Sequence, residues 1–494
     1  MDKLRLLNYR CLEDTGKVEL RPITILLGAN SSGKSSFLKF FPLLQQSVGT
    51  TVNGMFLWDG PMVDFKDFEN TVKDGEGEII VEYQIEKLSV KTTFGRGNDI
   101  IRDVCVQMTL CQKDDYYDYL RTLTISYDQV KMTFDFDANG QSCIIKVNSI
   151  DSSVFKSEKI EVGRDANLLP SLRFLYRATS FGIEGSSSIT AAKEMRKFLG
   201  KEDKDVFFFF DVESDKGLKL YRDEAYEVYA KSNPLADKKS LDRITDIHLY
   251  YLSSRVLTSV NTYFSEMAKN FSYVLPLRSI MNRYYRFQNR DVDQIDPDGD
   301  NLAMFLNSLS KPKLDEFNKW LRSIFHFSLN LHKSEGHVEI LIEEEGKELR
   351  NLVDVGFGYT QILPIITIIW KSIYGKKTRR DDNIPITIAI EQPELHLHPR
   401  FQAHFAQMLA AVMGYCHKHK ILVRIIIETH SEVIVNKLGQ LIEASGSGLK
   451  AEDVNVVLFN AKTEGMDSYV HAAEFSNDGF LNEWPYGFFS DDVY

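Results

Sequence analysis

Residues 28–35 of this chain read Gly28-Ala29-Asn30-Ser31-Ser32-Gly33-Lys34-Ser35. They match the phosphate-loop pattern G-x-x-x-x-G-K-[ST]. A β-branched and apolar run, residues 22–27, precedes them, and residues 36–41 have helical character. This order predicts a strand, a loop whose backbone N–H groups surround phosphate oxygens, and a helix whose positive end faces the same anion. The residues expected to bind a nucleotide here are Gly28, Asn30, Ser31, Ser32, Gly33, Lys34, Ser35 and Ser36.

Two residues of this loop carry the predicted chemistry. We expect the Lys34 ammonium to reach the β- and γ-phosphates of ATP. The Ser35 hydroxyl is expected to occupy one coordination site on Mg²⁺. A Gly/Ser-rich turn between a strand and a helix is the alternative explanation, and the correct order of strand, loop and helix argues against it.

Two buried strands are predicted to supply the rest of the site. Residues 384–390 and 421–427 are continuous runs of the kind found in a parallel sheet covered on both faces. Glu391 ends the first run, where its carboxylate can hold Mg²⁺ together with Ser35. His430 follows the second run, where its ring can hydrogen-bond the γ-phosphate. The alternative for His430 is an ordinary surface histidine.

Residues 354–361 read Asp354-Val355-Gly356-Phe357-Gly358-Tyr359-Thr360-Gln361 and place glycines before a helix predicted over residues 360–374. A helix amino-terminus attracts anions. Because one chain already carries its own phosphate loop, we predict that this segment caps the γ-phosphate held by a second copy of the protein.

Charge and cysteine content narrow the class of protein. The 494 residues include Asp+Glu 70 and Lys+Arg 59, for a net charge of −11, which does not favour a polyanion such as DNA as a general partner. The five cysteines lack C-x-x-C spacing, which fits a reducing compartment and predicts no zinc site. The chain has no apolar leader and no apolar run long enough to cross a bilayer, so we expect a cytoplasmic protein without a membrane partner.

Four stretches, residues 28–35, 356–364, 390–399 and 428–431, together resemble the ABC-type AAA ATPases of the OLD family. The resemblance implies an α/β fold with an ABC-type P-loop core of parallel strands flanked by helices. Residue patterns outside the matched stretches add an antiparallel β-meander and an inserted helical arm. It also implies a head-to-head homodimer, or a higher homo-oligomer, with ATP between one phosphate loop and the partner's signature segment. The signature residues here are Gly358, Thr360 and Gln361. The C-terminal residues 483–489 resemble a tail found in a stand-alone bacterial branch of that group.

One position departs from the family pattern. ABC-type sites carry a water-activating glutamate after the metal-binding acid, and this chain has Gln392 there. An amide accepts no proton usefully near pH 7, although it can orient a water molecule. We therefore assign Glu391, Gln392 and His430 to the catalytic group and expect slow hydrolysis with a long-lived ATP-bound dimer. A natural glutamine and a substitution introduced to trap the complex give the same sequence.

The chain is expected to divide into four segments. Residues 1–85 form the N-terminal part of the ATPase core, and residues 86–165 form the β-meander, because short period-two runs alternate there with turn residues. Residues 166–272 form a helical insertion, with a long helix over residues 240–269. The alternatives for its role are a lever, an oligomer contact and a packed subdomain. Residues 273–494 form the C-terminal part of the core with the signature, Glu391 and His430.

The resemblance implies an ATP-gated scaffold or sensor for a separately encoded effector, because relatives include the ATPase half of phage-defence systems such as Septu and PARIS. A DNA-repair ATPase of RecF type is the first alternative. It would bind DNA through residues 278–290, which interleave four arginines with aromatic side chains, or through the basic residues 376–380. The competing explanation is that Arg278 or Arg283 neutralises nucleotide phosphates.

A nuclease is the least favoured alternative. Residues 291–300 contain five aspartates that could serve as metal ligands. OLD nucleases, however, carry their acidic catalytic domain after the ATPase, and only about sixty residues follow His430 here.

Overall fold

The structure of this chain is a computed structural model. It describes all residues except 1, 51, 74–75, 92–97, 102, 114–116, 152–158, 164–167, 176–221, 233, 235–236, 287–291, 293, 335, 376–383, 445, 461–468 and 485–494. Several sequence features lie outside the described residues. They are the basic run 376–380, the end of the arginine stretch, much of the helical insertion and most of the C-terminal tail.

The described part of the chain forms two compact units. One comprises Met1–Lys17 and Leu43–Lys269, and we call it the meander unit. The other comprises Val18–Pro42 and Asn270–Tyr494, and we call it the core unit. The two units cut across the four segments predicted from the sequence, because the first strands of the chain pair with the meander and not with the strand before the phosphate loop.

The meander unit is built on one antiparallel sheet. Its strand order is β12-β11-β10-β9-β8-β5-β1-β2. Alternate residues of these strands are buried, so the period-two prediction for the meander agrees with the observed sheet. The strands of this sheet are β1 (Lys3–Tyr9), β2 (Leu12–Asp14), β5 (Glu78–Ile85), β8 (Val104–Gln112), β9 (Asp118–Tyr127), β10 (Val130–Phe136), β11 (Cys143–Val147) and β12 (Ile150–Asp151).

Two further hairpins and a long helix complete this unit. The hairpins pair β6 (Leu88–Lys91) with β7 (Asn98–Ile101) and β13 (Lys159–Gly163) with β14 (Ser171–Leu175). The long helix, Lys238–Lys269, begins two residues before the predicted position and packs against the meander, where its Asp246 accepts a 2.6 Å hydrogen bond from Ser149. In its described part, the helical insertion is therefore a packed layer on the sheet.

The core unit contains a six-stranded sheet in the order β15-β20-β21-β4-β22-β23. Its strands are β4 (Ile23–Gly28), β15 (Phe271–Val274), β20 (Ile386–Glu391), β21 (Val423–Glu428), β22 (Val454–Asn460) and β23 (Tyr469–Ala473). All neighbours in this sheet are parallel except β22 and β23. Every residue of β20 and β21 is buried, as a sheet covered by helices on both faces requires. The α/β class predicted from the sequence is confirmed.

A smaller antiparallel sheet and a set of helices surround this core. The small sheet contains β16 (Tyr285–Arg286), β17 (Phe327–Ser334), β18 (His337–Glu344) and β19 (Arg350–Asn351). A short strand, β3, spans Val18–Glu19. The described helices of the whole chain are Lys34–Leu38, Phe40–Ser47, Arg222–Ser232, Lys238–Lys269, Leu302–Ser308, Lys311–Phe325, Leu352–Val355, Phe357–Tyr374, Pro399–His419 and Glu432–Glu443, with a 3-10 turn at Ala451–Asp453. Among these helices, none combines the length and the apolar character needed to cross a bilayer.

Candidate nucleotide site

The phosphate loop joins β4 to the helix Lys34–Leu38, as the sequence predicts. Gly28 and Gly33 have φ angles of 148° and 106°, which residues with side chains rarely adopt. Gly28 also lies against β22, since a Cβ atom there would stand 2.2 Å from the carbonyl oxygen of Phe459. Glycine is therefore required at the point where the strand turns into the loop.

The remaining loop residues differ in exposure. Asn30 and Ser31 are exposed, and Ser36 is half-buried on the first helical turn. Ser32 is buried, and its hydroxyl has no hydrogen-bond partner among the described residues. A buried polar atom without a partner is unfavourable, and a phosphate oxygen is a suitable acceptor for this hydroxyl.

Lys34 is buried at the start of the helix, with 3% of its surface exposed. Its ammonium donates hydrogen bonds of 2.8 Å to the carbonyl oxygen of Gly28 and 2.7 Å to that of Ala29. Burial lowers the pKa of Lys34, and the carboxylates of Glu428 and Glu394 act in the opposite direction. A cation held inside a loop of backbone N–H groups is suited to bind an anion.

Ser35 contacts a carboxylate to which the sequence analysis gave no role. Its Oγ donates a 2.8 Å hydrogen bond to Oε1 of Glu428, the last residue of β21. Glu428 is 2% exposed, and its Oε2 has no hydrogen-bond partner in the described part of the chain. Burial raises the pKa of Glu428, and the hydrogen bond from Ser35 partly offsets this increase.

Glu391 ends the neighbouring strand β20, as predicted, and is 4% exposed. The Tyr273 hydroxyl donates a hydrogen bond to Oε1 of Glu391, and the Lys39 ammonium lies 3.7 Å from Oε2. Burial raises the pKa of Glu391, and the charge of Lys39 opposes this effect. Both carboxylate oxygens of Glu391 thus have partners from this chain.

Gln392 begins the turn after β20 and has a φ angle of 42°, in the left-handed region that few non-glycine residues occupy. Its backbone N–H donates a 2.8 Å hydrogen bond to the carbonyl oxygen of Glu428. The Arg278 guanidinium donates hydrogen bonds of 3.2 Å to the carbonyl oxygens of Glu391 and Gln392. These bonds fix the backbone that carries the Gln392 side chain.

His430 lies two residues beyond the end of β21 and is half-buried. Glu394 holds this segment, because its two oxygens accept 2.7 Å hydrogen bonds from the His430 backbone and from the Thr429 hydroxyl. Burial and the nearby charge of Lys34 lower the pKa of His430. Both effects favour the neutral ring, which can accept or donate a hydrogen bond.

The predicted signature helix begins at Phe357 instead of Thr360. Thr360 and Gln361 are buried, with exposures of 5% and 2%, and the Thr360 hydroxyl donates to the carbonyl oxygen of Phe357. Gly358 is half-buried, whereas Gly356 and Phe357 are exposed. The side chains that this segment presents to solvent are thus not those of Thr360 and Gln361.

Three adjacent parallel strands bring the predicted groups together. Glu428 is paired in register with Glu391 on one side and with Leu26 of β4 on the other. The phosphate loop follows β4 directly, so the loop and the two carboxylates occupy the same edge of the sheet. The site predicted from separated parts of the sequence is therefore continuous in space.

The oxygens at this edge suit Mg²⁺, which prefers hydroxyl, carboxylate and phosphate ligands. Ser35, Glu428 and Glu391 offer such oxygens, and Oε2 of Glu428, which has no hydrogen-bond partner among the residues that the structure describes, fits a cation. Among the described residues, no three His, Cys, Asp or Glu side chains cluster closely enough to hold an ion by themselves. Nucleotide phosphates and water would have to complete the coordination shell, as is usual for Mg²⁺.

Four contributors to the site were missed at the sequence level: Glu428, Glu394, Tyr273 and Lys39. Glu428 could have been found, because it ends a buried strand in the same way as Glu391 does. The others reach the site through contacts between distant segments, for which the sequence gives no periodic signal.

The described arginines of this stretch have different surroundings, and among them Arg286 is exposed. Arg278 is 5% exposed, its Nε and Nη1 lack hydrogen-bond partners among the described residues, and burial lowers its pKa to about 10. Arg283 forms an ion pair with Asp354. Arg278 therefore supports the turn after β20, and Arg283 is paired with an acid.

The aspartates proposed for a nuclease also have local partners. Asp298 accepts a 2.8 Å hydrogen bond from the Ser279 hydroxyl and a 3.1 Å hydrogen bond from the Asp300 backbone. Gly299 between them has a φ angle of 79°. These contacts stabilise a tight turn, which is a structural role for this part of the aspartate run.

Comparison with known protein families gives one match for this chain. The AAA ATPase domain family matches residues 1–435. No curated protein matches the chain.

Among solved structures, the chain is similar to an Smc head bound to the C-winged helix domain of ScpA, with 10% identity, coverage of 96% of this chain and 97% of that chain, and a TM-score of 0.36. It is similar to the SMC head domain from Thermotoga maritima, with 10% identity, coverage of 95% and 97%, and a TM-score of 0.34. An Smc head with an extended coiled coil bound to the C-terminal domain of ScpA from Pyrococcus furiosus gives 10% identity, coverage of 96% and 97%, and a TM-score of 0.35. At TM-scores below 0.5, such a likeness does not establish a shared function or assembly.

Proposed function

This chain belongs to the AAA ATPase domain family, and from that premise we propose that it binds ATP with Mg²⁺ at the edge formed by β4, β20 and β21. One observation carries the proposal: Lys34 is buried in the phosphate loop while the Ser35 hydroxyl contacts a buried carboxylate. Lys34 neutralises charge on the β- and γ-phosphates, and the ring of His430 positions the terminal phosphate. Bound Mg²⁺ supplies Lewis-acid stabilisation of phosphoryl transfer.

We propose that hydrolysis at this site is slow. The acid that ends β20 is followed by Gln392, whose amide can orient water but cannot take its proton near pH 7. The bonds to the backbone of Gln392 hold it at the edge of the sheet. The ATP-bound form is therefore long-lived compared with that of an enzyme with a carboxylate at this position.

The ATP-bound chain pairs with a second copy through the segment around Phe357. Support comes from two exposed apolar side chains, Phe357 with 48% and Val353 with 41% of its surface exposed. Exposed apolar groups beside a helix amino-terminus are suited to a contact that also approaches a phosphate. A second chain can place this segment over the nucleotide held by the first.

A slow ATPase that pairs when ATP is bound is suited to hold or release another protein. We therefore propose an OLD-like, ATP-gated scaffold or sensor for a separately encoded effector in bacterial anti-phage defence. The test is phage plating on bacteria that carry the gene with its neighbours. Plaque numbers should fall when both genes are intact and recover when either the effector gene or Lys34 is disabled. Equal plaque numbers in all strains would contradict the defence role.

Nucleotide binding is tested with Lys34→Ala in the purified full chain. The variant should lose at least tenfold in ATP affinity, because it removes the cation that faces the phosphates. Lys418→Ala removes one exposed lysine from the same unit and is the matched control. Unchanged ATP affinity in a folded Lys34→Ala variant would show that the phosphate loop is not the nucleotide site.

A DNA-binding ATPase remains the alternative from another functional class. The burial of Arg278 and the pairing of Arg283 with Asp354 do not favour it. DNA binding by the purified chain that weakens steeply with salt would favour this alternative over the scaffold.

A further inference from the structure

We propose that Glu428 is the carboxylate that holds Mg²⁺ together with Ser35 in this site, and that Glu391 has a separate positioning role. This assignment rests on the proposed function, because it concerns the metal of the same nucleotide site. It changes the sequence-level prediction, which paired Ser35 with Glu391.

The position of Glu428 in the sheet favours it over Glu391. β21 lies between β4 and β20, so Glu428 is one strand nearer to the phosphate loop than Glu391 is. Its Oε1 already accepts a 2.8 Å hydrogen bond from the Ser35 hydroxyl. Because a hydroxyl that donates its single proton keeps its lone pairs available, this bond orients the Ser35 oxygen to accept a cation.

The second oxygen of Glu428 points to a ligand. Oε2 is buried and has no hydrogen-bond partner among the described residues, on a side chain that is 2% exposed. A buried carboxylate oxygen without a partner is costly, and a hard cation with oxygen ligands relieves that cost. One hydroxyl and one carboxylate are also enough protein ligands for Mg²⁺ when phosphates and water supply the rest.

Glu391 has different surroundings. Its Oε1 accepts a hydrogen bond from the Tyr273 hydroxyl, and its Oε2 faces the Lys39 ammonium at 3.7 Å. Lys39 and Lys34 also act electrostatically on Glu428, but among the described contacts Lys39 forms its ion pair with Glu391, where it opposes the approach of a second cation most strongly. Glu391 therefore holds Tyr273 and Lys39 at the end of β20. In this role it contributes to the ion site indirectly, by fixing the positions of the groups along this edge of the sheet.

The experiment compares Glu428→Gln with Glu391→Gln in the full chain. ATP affinity is measured by calorimetry in excess EDTA and again with saturating Mg²⁺, and Mn²⁺ binding to the ADP complex is followed by electron paramagnetic resonance. In Glu428→Gln the metal-dependent gain in affinity should fall at least tenfold, and the affinity in EDTA should be no lower than that of the wild-type chain, because the change removes a negative charge near the phosphates. Glu391→Gln should retain most of the metal-dependent gain.

The opposite pattern would overturn the assignment. If Glu428→Gln keeps the full metal-dependent gain while Glu391→Gln loses it, Glu391 holds the ion and the proposed ATP site still stands. If the wild-type chain does not bind ATP with or without metal, the proposed function itself fails. If Glu428→Gln does not fold, Glu428→Asp and Glu391→Asp are compared instead. Each keeps the carboxylate but shortens the side chain by one methylene group.

Discussion

At the scale of single residues, we propose that Gln392 determines whether this site cleaves ATP quickly or holds it. Hydrogen bonds with the Glu428 carbonyl and with Arg278 fix its backbone. A replacement side chain of the same length would therefore extend from the same backbone position. Gln392→Glu therefore tests the chemistry of one functional group with little change in shape.

We expect Gln392→Glu to hydrolyse ATP faster than the wild-type chain. A carboxylate at this position adds proton abstraction, which is typically worth about a hundred- to ten-thousand-fold in rate. Single-turnover hydrolysis and the lifetime of the ATP-bound assembly are measured in both proteins. Equal or slower hydrolysis, with ATP binding intact, would mean that another residue activates water or that the site is built to sense ATP without cleaving it.

The same scale shows what the sequence could predict. Lys34, Ser35 and Glu391 were predicted because each occupies a fixed place next to a strand end, and the structure puts them there. The contact between Ser35 and Glu428 was not predicted, because it depends on β21 lying between β4 and β20. Strand order is a property of the whole sheet and leaves no local signal.

At the scale of secondary-structure elements, the strands were easier to predict than the start of the signature helix. The runs 384–390 and 421–427 correspond to Ile386–Glu391 and Val423–Glu428, since continuous apolar sequence suits a strand buried on both faces. The helix begins at Phe357, and the packing of its first turn buries Thr360 and Gln361. These side chains were assigned to a contact with a second chain's nucleotide, and tertiary packing buries them within their own chain.

The helix Pro399–His419 carries a histidine that makes stability depend on pH. His404 packs against the rings of Phe325, His326 and Phe401, and its Nδ1 is buried without a hydrogen-bond partner among the described residues. Burial lowers the pKa of His404, and the charges of Arg400 and His326 add to the effect. The folded state therefore binds this proton less tightly than the unfolded state, whose pKa stays near 6.5.

Because the unfolded state takes up the proton first, this histidine lowers the free energy of unfolding as the pH falls below about 6.5. We expect His404→Gln to lose less stability than the wild-type chain between pH 7.5 and pH 5.5. Denaturant unfolding at both pH values measures the difference. His332→Gln, at an exposed position, is the matched control. Parallel losses in the wild-type chain and His404→Gln would contradict the prediction.

At the scale of the whole molecule, the proposed pairing of two chains depends on the surface around Phe357. Thr360 belongs to the predicted signature but is only 5% exposed, so a large charged substitution such as Thr360→Arg would disturb the helix itself before it affected a second chain. Phe357 is 48% exposed, and its ring packs edge-on against that of His396, with 5.1 Å between the ring centroids. It is therefore the better position for testing association.

We expect Phe357→Glu to bind ATP with near wild-type affinity and to lose at least tenfold in ATP-dependent association, because a charge would be buried in the contact. Light scattering with and without ATP measures the assembly. Phe480→Glu is the matched control. It makes the same substitution at another phenylalanine of the core unit, which is 74% exposed. Unaltered association of Phe357→Glu would count against a contact through this segment.

The order of the strands in the core sheet also determines when this part of the protein can fold during its synthesis. Ile23 of β4 pairs with Ile425 of β21, so the strand before the phosphate loop is synthesised about 400 residues before its neighbour. At about 5–20 residues per second, that delay is roughly 20–80 s. The meander unit ends at Lys269 and can fold during this interval. The candidate site is complete only when the last strands emerge, so we expect that a chain still being translated neither binds ATP nor pairs with a finished copy.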